Sequence, residues 1–169
     1  EAVNQTLVCT KEACDISRLA GSGISFNRIH PTICPSSMLD KNTIGQITAV
    51  RFVGKECHAD VQFTKVPDPD FDRVWNQIVE GTLRGVSVGF KPKQIKFIET
   101  EDGQRNEQIV EKWEFMESSL ADVAADGGAA IQRAEAKPDN FQTPHSVTVR
   151  SAYTPKVKTE ISQNRNMEK

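Results

Sequence analysis

The stretch Pro67–Phe90, PDPDFDRVWNQIVEGTLRGVSVGF, decides how the rest of this chain is read. Phe71, Val74, Trp75, Ile78 and Val79 recur at i, i+3, i+4, i+7 and i+8, the apolar stripe of a helix facing a core. Proline and carboxylates between Asp68 and Asp72 suit a helix N-terminus, and Gly81 supplies the C-terminal stop. Leu83–Phe90 then alternates as a strand, with Gly85 and Gly89 on either side of Ser87. A hydroxyl between two glycines, just past a packed helix, is a candidate nucleophile. The competing reading is a tightly packed strand whose glycines let another backbone approach.

Upstream, Thr43–Val53 (TIGQITAVRFV) and Cys57–Phe63 (CHADVQF) alternate with β-branched residues and meet at Gly54-Lys55, which predicts a hairpin. Ile24–Ile33 leans towards β but contains Pro31, so it reads as an edge strand or a strand entering a loop. Pro35-Ser36-Ser37 is a turn, Lys11–Ala20 one or two weak helical turns, and Leu7-Val8-Cys9 a first strand or arm. Downstream, Lys93–Thr100 and Gln108–Met116 form a second hairpin across Asp102-Gly103, and Leu120–Asp126 runs on to Gly127-Gly128. Ala129–Ala136 is a helix former that Pro138 ends. From Pro138 on, only Val147-Thr148-Val149 is strand-like, which reads as an arm ordered by a partner. Six or seven short strands in antiparallel hairpins, with two helices, point to an α+β fold or a small barrel flanked by helices. Residues 1–30 form an N-terminal arm with the first strands, 31–136 the barrel domain and 137–169 an extended C-terminal arm.

The formal net charge of −2, with both signs mixed along 169 residues, gives no basic stripe for nucleic acid. No apolar run approaches the roughly 18 residues of a membrane-spanning helix. The residues starting at Glu1 show no signal peptide, and a start other than methionine fits a protease-trimmed chain or one beginning inside a longer product. Cys9 and Cys14 are spaced C-x4-C while Cys34 and Cys57 stand alone, a poor zinc pattern. Buried thiols are the expected state, disulfides the alternative in an oxidising medium. Neither a metal nor a cofactor is expected.

Glu80–Phe90 (EGTLRGVSVGF), Trp113–Ile131 (WEFMESSLADVAADGGAAI) and Thr43–Val50 (TIGQITAV) together resemble the prohead maturation proteases of tailed bacteriophages. The resemblance covers about Pro31 to Ala134. It implies the closed barrel shared with herpesvirus assemblins, with Ser87 as nucleophile, Glu117 as the acidic position, and backbone amides at Gly85 and Gly89 for an oxyanion. The family's histidine base, aligned through Pro31-Thr32-Ile33-Cys34-Pro35, falls on Ser36. A serine hydroxyl needs an adjacent base to take its proton, and a second serine cannot serve. Of the three histidines, His58 on the second hairpin strand is the better substitute base, against the competing reading of a solvent-facing strand histidine. His30 lies six residues before Ser36, about 20 Å along an extended chain unless that chain folds back, and His145 belongs to the tail.

The expectation is therefore a structural protein of a phage head. It would be a decoration or cement subunit that keeps a protease-like domain without its base and stays in the virion. It would bind the major capsid protein and neighbouring head proteins through its arms, with self-association possible, and neither nucleic acid nor membrane. The alternative is an active maturation serine endopeptidase cutting scaffold and capsid precursors, with Ser87, a relocated His58 or His30, and Glu117. A second alternative is a small soluble binding module.

Overall fold

The structure, a computed structural model, describes residues 4–131 apart from 35, 67, 100–104 and 125–126. Its centre is one long strand. β7 (Arg105–Ala121) pairs along one edge with β6 (Gly85–Glu99), antiparallel. Its other edge takes three short strands in succession, all parallel: β1 (Asn4–Leu7), β2 (Cys14–Asp15) and β3 (Ile24–Asn27). The antiparallel strands β4 (Thr43–Val53) and β5 (Glu56–Phe63) extend the sheet from β3. Seven strands therefore make one mixed, open sheet with the path β6-β7-β3-β4-β5.

This corrects the expected closed antiparallel barrel with flanking helices. No described pairing joins β5 to β6, so the sheet does not close, and three of its pairings are parallel. The short strands expected downstream fuse into two long ones because bulges absorb their irregularities. Register shifts at Gly89/Phe90 and around Pro92 let β6 run through a proline. β3 is an interior strand rather than an edge, since it ends at Asn27 before Pro31 interrupts it. Pro31–Ile33 instead forms a 3-10 turn. The expected late helix shows only Ala129–Ile131 in the described residues, and these are extended, with Ala130 bridged to Gly85. The turn at Asp102-Gly103, most of Ala129–Ala136, His145, Val147–Val149 and the C-terminal arm lie outside the described residues.

The hairpin and the helix form where the residues require them. Gly54 turns β4 into β5 at φ 61°, a left-handed conformation that glycine adopts without Cβ strain. After the helical turn α1 (Leu39–Asn42), the only long helix described is α2 (Pro69–Glu80). The Asp68 side chain caps its N-terminus, accepting from Asp70 N at 2.9 Å, and Gly81 ends it at φ 79°. α2 buries Phe71 and Ile78 against the sheet, each worth about 1.5–3 kcal/mol of apolar burial. Phe63 is the contact: its ring meets Trp75 edge-on at 5.1 Å, Phe71 at 6.0 Å and Phe26 at 5.5 Å. Phe26 and Phe63 flank Gly45 in the ladder, and a Cβ there would crowd Gln62 O at 2.8 Å.

Candidate functional site

One sheet face is apolar and covered by α2; the opposite face, around β3, β7 and β6, is polar. Register explains the division. Ile24 and Phe26 of β3 are buried on the helix side, so Ser25 and Asn27 point the other way. Their β7 partners are Glu117 and Ser119, and the β6 partners of these two are Gly89 and Ser87. Ser25, Asn27, Glu117, Ser119 and Ser87 therefore share a face across three strands, with Ser87 directly opposite Ser119.

Glu117 is the centre of this group. It is buried, and its Oε2 accepts from Asn27 Nδ2 at 3.0 Å. Asn27 is itself held, its Nδ2 3.2 Å from Ser25 Oγ and its Oδ1 accepting from Thr43 Oγ1 at 3.1 Å. Burial raises the Glu117 carboxyl above its usual range, and the Asn27 hydrogen bond and His30 only partly offset this. Gly89 makes the room: a Cβ there would overlap Glu117 Oε1, with Cδ and Cγ 2.8 Å away.

Bends at Arg28 and Ile29, directly after β3, turn the chain so that His30, which caps the 3-10 turn Pro31–Ile33, reaches this carboxylate, with Nε2 3.3 Å from Oε1. The other ring nitrogen, Nδ1, accepts from Thr32 N at 3.3 Å and lies 2.7 Å from Thr32 Oγ1. That pattern leaves the proton on Nε2 and makes Nδ1 the basic nitrogen; Nε2 and Oε1 lie within ion-pair distance, but Oε1 accepts no hydrogen bond among the described residues. No hydrogen bond joins Ser87 Oγ to a histidine among the described residues. Ser87 is half-buried, and its carbonyl accepts from Ser118 Oγ at 2.8 Å. Register puts it diagonally across from Glu117, about 7–8 Å away. Ser119 Oγ, facing Ser87, is buried without a hydrogen-bond partner in the described structure.

The other sequence candidates are not at this site. His58 lies on β5, four strand steps from β6, about 19 Å across a sheet; its Nε2 contacts Glu56 Oε2 at 2.9 Å. Ser36 is exposed on the 3-10 turn Ser36–Met38. Gly85 and Gly89 turn their backbone groups towards β7. Val86 N donates outward to Ala129 O, and backbone direction alternates along a strand. The outward N–H next to Ser87 is that of Val88. Sequence reasoning had no place for Asn27, Thr43 and Ser119, and the only signal for them is Ser25-x-Asn27 alternating against two buried apolar residues.

All four cysteines are thiols, and Cys9, Cys14 and Cys57 are buried. Burial pushes the Cys57 thiol up to about 12, and raises Cys14 further, with Cys57 and Cys9 adding to the effect. Among the described residues, no group of three His, Cys, Asp or Glu side chains is arranged to hold a metal ion.

The fold and site together describe an open mixed sheet carrying a serine, an imidazole and a buried carboxylate on one face. No protein-family model and no solved structure matches the chain. Over 93 residues it is 31% identical to a capsid polyprotein of Pseudomonas phage PAJU2, covering 52% of this chain and 13% of that protein. Over 92 residues it is 29% identical to a major capsid protein of Halomonas phage phiHAP-1, covering 54% of this chain and 14% of that protein. The chain thus spans about one seventh of the length of the curated relatives it matches.

Proposed function

We propose that this chain is the serine endopeptidase module of a tailed-phage capsid precursor, acting within the assembling head on capsid and scaffold polypeptides. The observation that carries the reading is the contact between His30 Nε2 and Glu117 Oε1, 3.3 Å, above Gly89 and on the face of Ser87. An imidazole and a carboxylate 87 positions apart meet on the sheet face that carries Ser87, which lies between Gly85 and Gly89. The likeness to a short section of a protein named a capsid polyprotein supports it, since a polyprotein is cut into its parts.

In this reading Ser87 Oγ attacks the scissile carbonyl while His30 takes its proton, and Glu117 steadies the imidazolium that forms. The His30 proton then passes to the leaving amine, and water releases the acyl group from Ser87. His30 must first exchange its Thr32 hydrogen bond for Ser87, an adjustment substrate binding can drive. The test is incubation of the purified chain with its capsid precursor, beside Ser87→Ala and His30→Ala chains, together with labelling by a fluorophosphonate. Cleavage and a Ser87 adduct in the unaltered chain alone are expected. Equal cleavage by all three chains, or by none, overturns the reading.

A second reading is favoured by the engagement of Nδ1 with Thr32 and by Ser36 at the family's base position. In it the chain is a catalytically silent decoration or cement subunit retained in the virion. Its signature is stoichiometric presence in finished heads whose assembly is unchanged by Ser87→Ala.

A further inference from the structure

The edge of β6 that faces away from β7 is blunted at both ends and open between them. At one end Ala129–Ile131 lies on it as an added antiparallel segment: Ile131 N donates to Arg84 O at 2.8 Å and Val86 N to Ala129 O at 3.4 Å. At the other end stands Pro92, which has no N–H. Alternation from Val86 turns the backbone of Val88, Phe90 and Pro92 to the same outward side. The bulge at Gly89/Phe90 does not disturb this, because the extra residue, Met116, is on β7. Among the described residues no strand pairs with this window, which spans Val88–Pro92, about 13 Å, and begins at the residue after Ser87.

We infer that this window is the substrate-docking edge: an extended acidic segment of a second polypeptide adds to β6 as a strand at Val88–Pro92. Its backbone would bond to the N–H groups of Val88 and Phe90, so that the carbonyl beside Ser87 accepts from Val88 N. The inference deepens the endopeptidase reading and rests on it. Strand addition suits an exposed edge because main-chain hydrogen bonds supply affinity whatever the sequence. The edge already accepts a strand at Arg84–Val86, so the window continues an existing ladder. Charge selects the occupant. Lys91 shares the Ser87 face, is exposed, and makes no ion pair among the described residues; Lys96, further along, is exposed likewise. Residues 132–169 carry seven basic and four acidic side chains, so the chain's own C-terminal segment is repelled rather than attracted. A carboxylate about four residues from the scissile bond would meet Lys91.

The test is amide hydrogen exchange, read residue by residue by NMR on the isotope-labelled full chain carrying Ser87→Ala. Two probes are used, a decapeptide of alternating valine and glutamate and one of alternating valine and lysine. The acidic peptide is expected to slow exchange at Val88 and Phe90 at least tenfold while leaving the amides of positions 87 and 89, which face β7, unchanged. The basic peptide should do far less, and Lys91→Glu should reverse the preference. No protection at Val88 and Phe90 with either peptide overturns the inference. So does protection already present in the free chain, whether concentration-independent (its own tail in place) or concentration-dependent (two β6 edges paired). Protection by the acidic peptide in a chain that never cuts its precursor keeps the docking edge and removes the endopeptidase. Precursor cleavage without protection removes the docking edge and keeps the endopeptidase.

Discussion

Gly89 has no side chain because Glu117 lies where one would stand, and this small fact governs the chemistry of the whole face. A methyl group at that position would overlap Oε1 and stand 2.8 Å from both Cδ and Cγ of Glu117, so the whole buried side chain must shift, straining its Asn27 hydrogen bond. Gly89→Ala should therefore lower the thermal midpoint and also lower precursor cleavage on the order of 100-fold, as expected for a catalytic group displaced by about 1 Å. Ser87→Ala and His30→Ala should each remove nearly all the rate, and the double variant should lose little more, because the groups act as a unit. Glu117 gives a pH signature. Its carboxyl holds a proton more tightly in the folded chain than the usual 4.5, so the stability linked to it is fully present below about 4.5 and lost as pH rises through the raised folded value. Denaturant unfolding from pH 4 to 7 should show that decline, and Glu117→Gln should flatten it. A Gln variant with the same slope would mean that other groups set the dependence.

At the scale of single elements, α2 shows local signals and tertiary packing in agreement. Its cap at Asp68, its left-handed stop at Gly81 and its stripe from Phe71 to Ile78 all match the sequence pattern. Phe71→Ala should cost about 3–5 kcal/mol, read from the shift of a urea midpoint, because Phe63 and Trp75 cannot close the hole. Gly81→Ala should cost about 1 kcal/mol through its φ of 79°. The buried thiols belong to this scale too. A thiol raised to about 12, as at Cys57, is not a thiolate at neutral pH. Cys34, half-buried, should react first with an alkylating reagent, and Cys14 and Cys57 only on unfolding. Early labelling of Cys57 would contradict its burial.

Across the whole molecule, β7 is the member on which stability depends. Four strands bond to its two edges, and Trp113, Phe115 and Val110 are among its most buried residues. The Trp113 indole N–H donates to Val8 O at 2.9 Å, tying the start of the chain to the middle of the sheet. Native-state hydrogen exchange should find the slowest amides between Val110 and Leu120, with β5, at the far edge, opening earlier. Because β1, β2 and β3 all pair with β7 in parallel, folding needs contacts between residues about 90–100 positions apart, which predicts slow formation of the native sheet.

Local chemistry determined much of this protein from the sequence alone. The helix, its caps and the first hairpin follow from periodicity, turn residues and β-branching, which act over a few residues. The glycines beside Ser87 were also legible from residue type and spacing, whereas Glu117 entered only through the family resemblance. What only the tertiary structure decided is whatever depends on pairing at long range. The open, mixed sheet was not readable, because alternation identifies strands but not their partners or directions. The fusion of short runs into β6 and β7 depends on bulges that leave no sequence mark. His30 is the sharpest case: along an extended chain it stands too far from the base position at Ser36, yet bends at Arg28 and Ile29 set it against Glu117. Distance along a chain limits contact only while the chain stays extended, and only the folded structure determines where it bends.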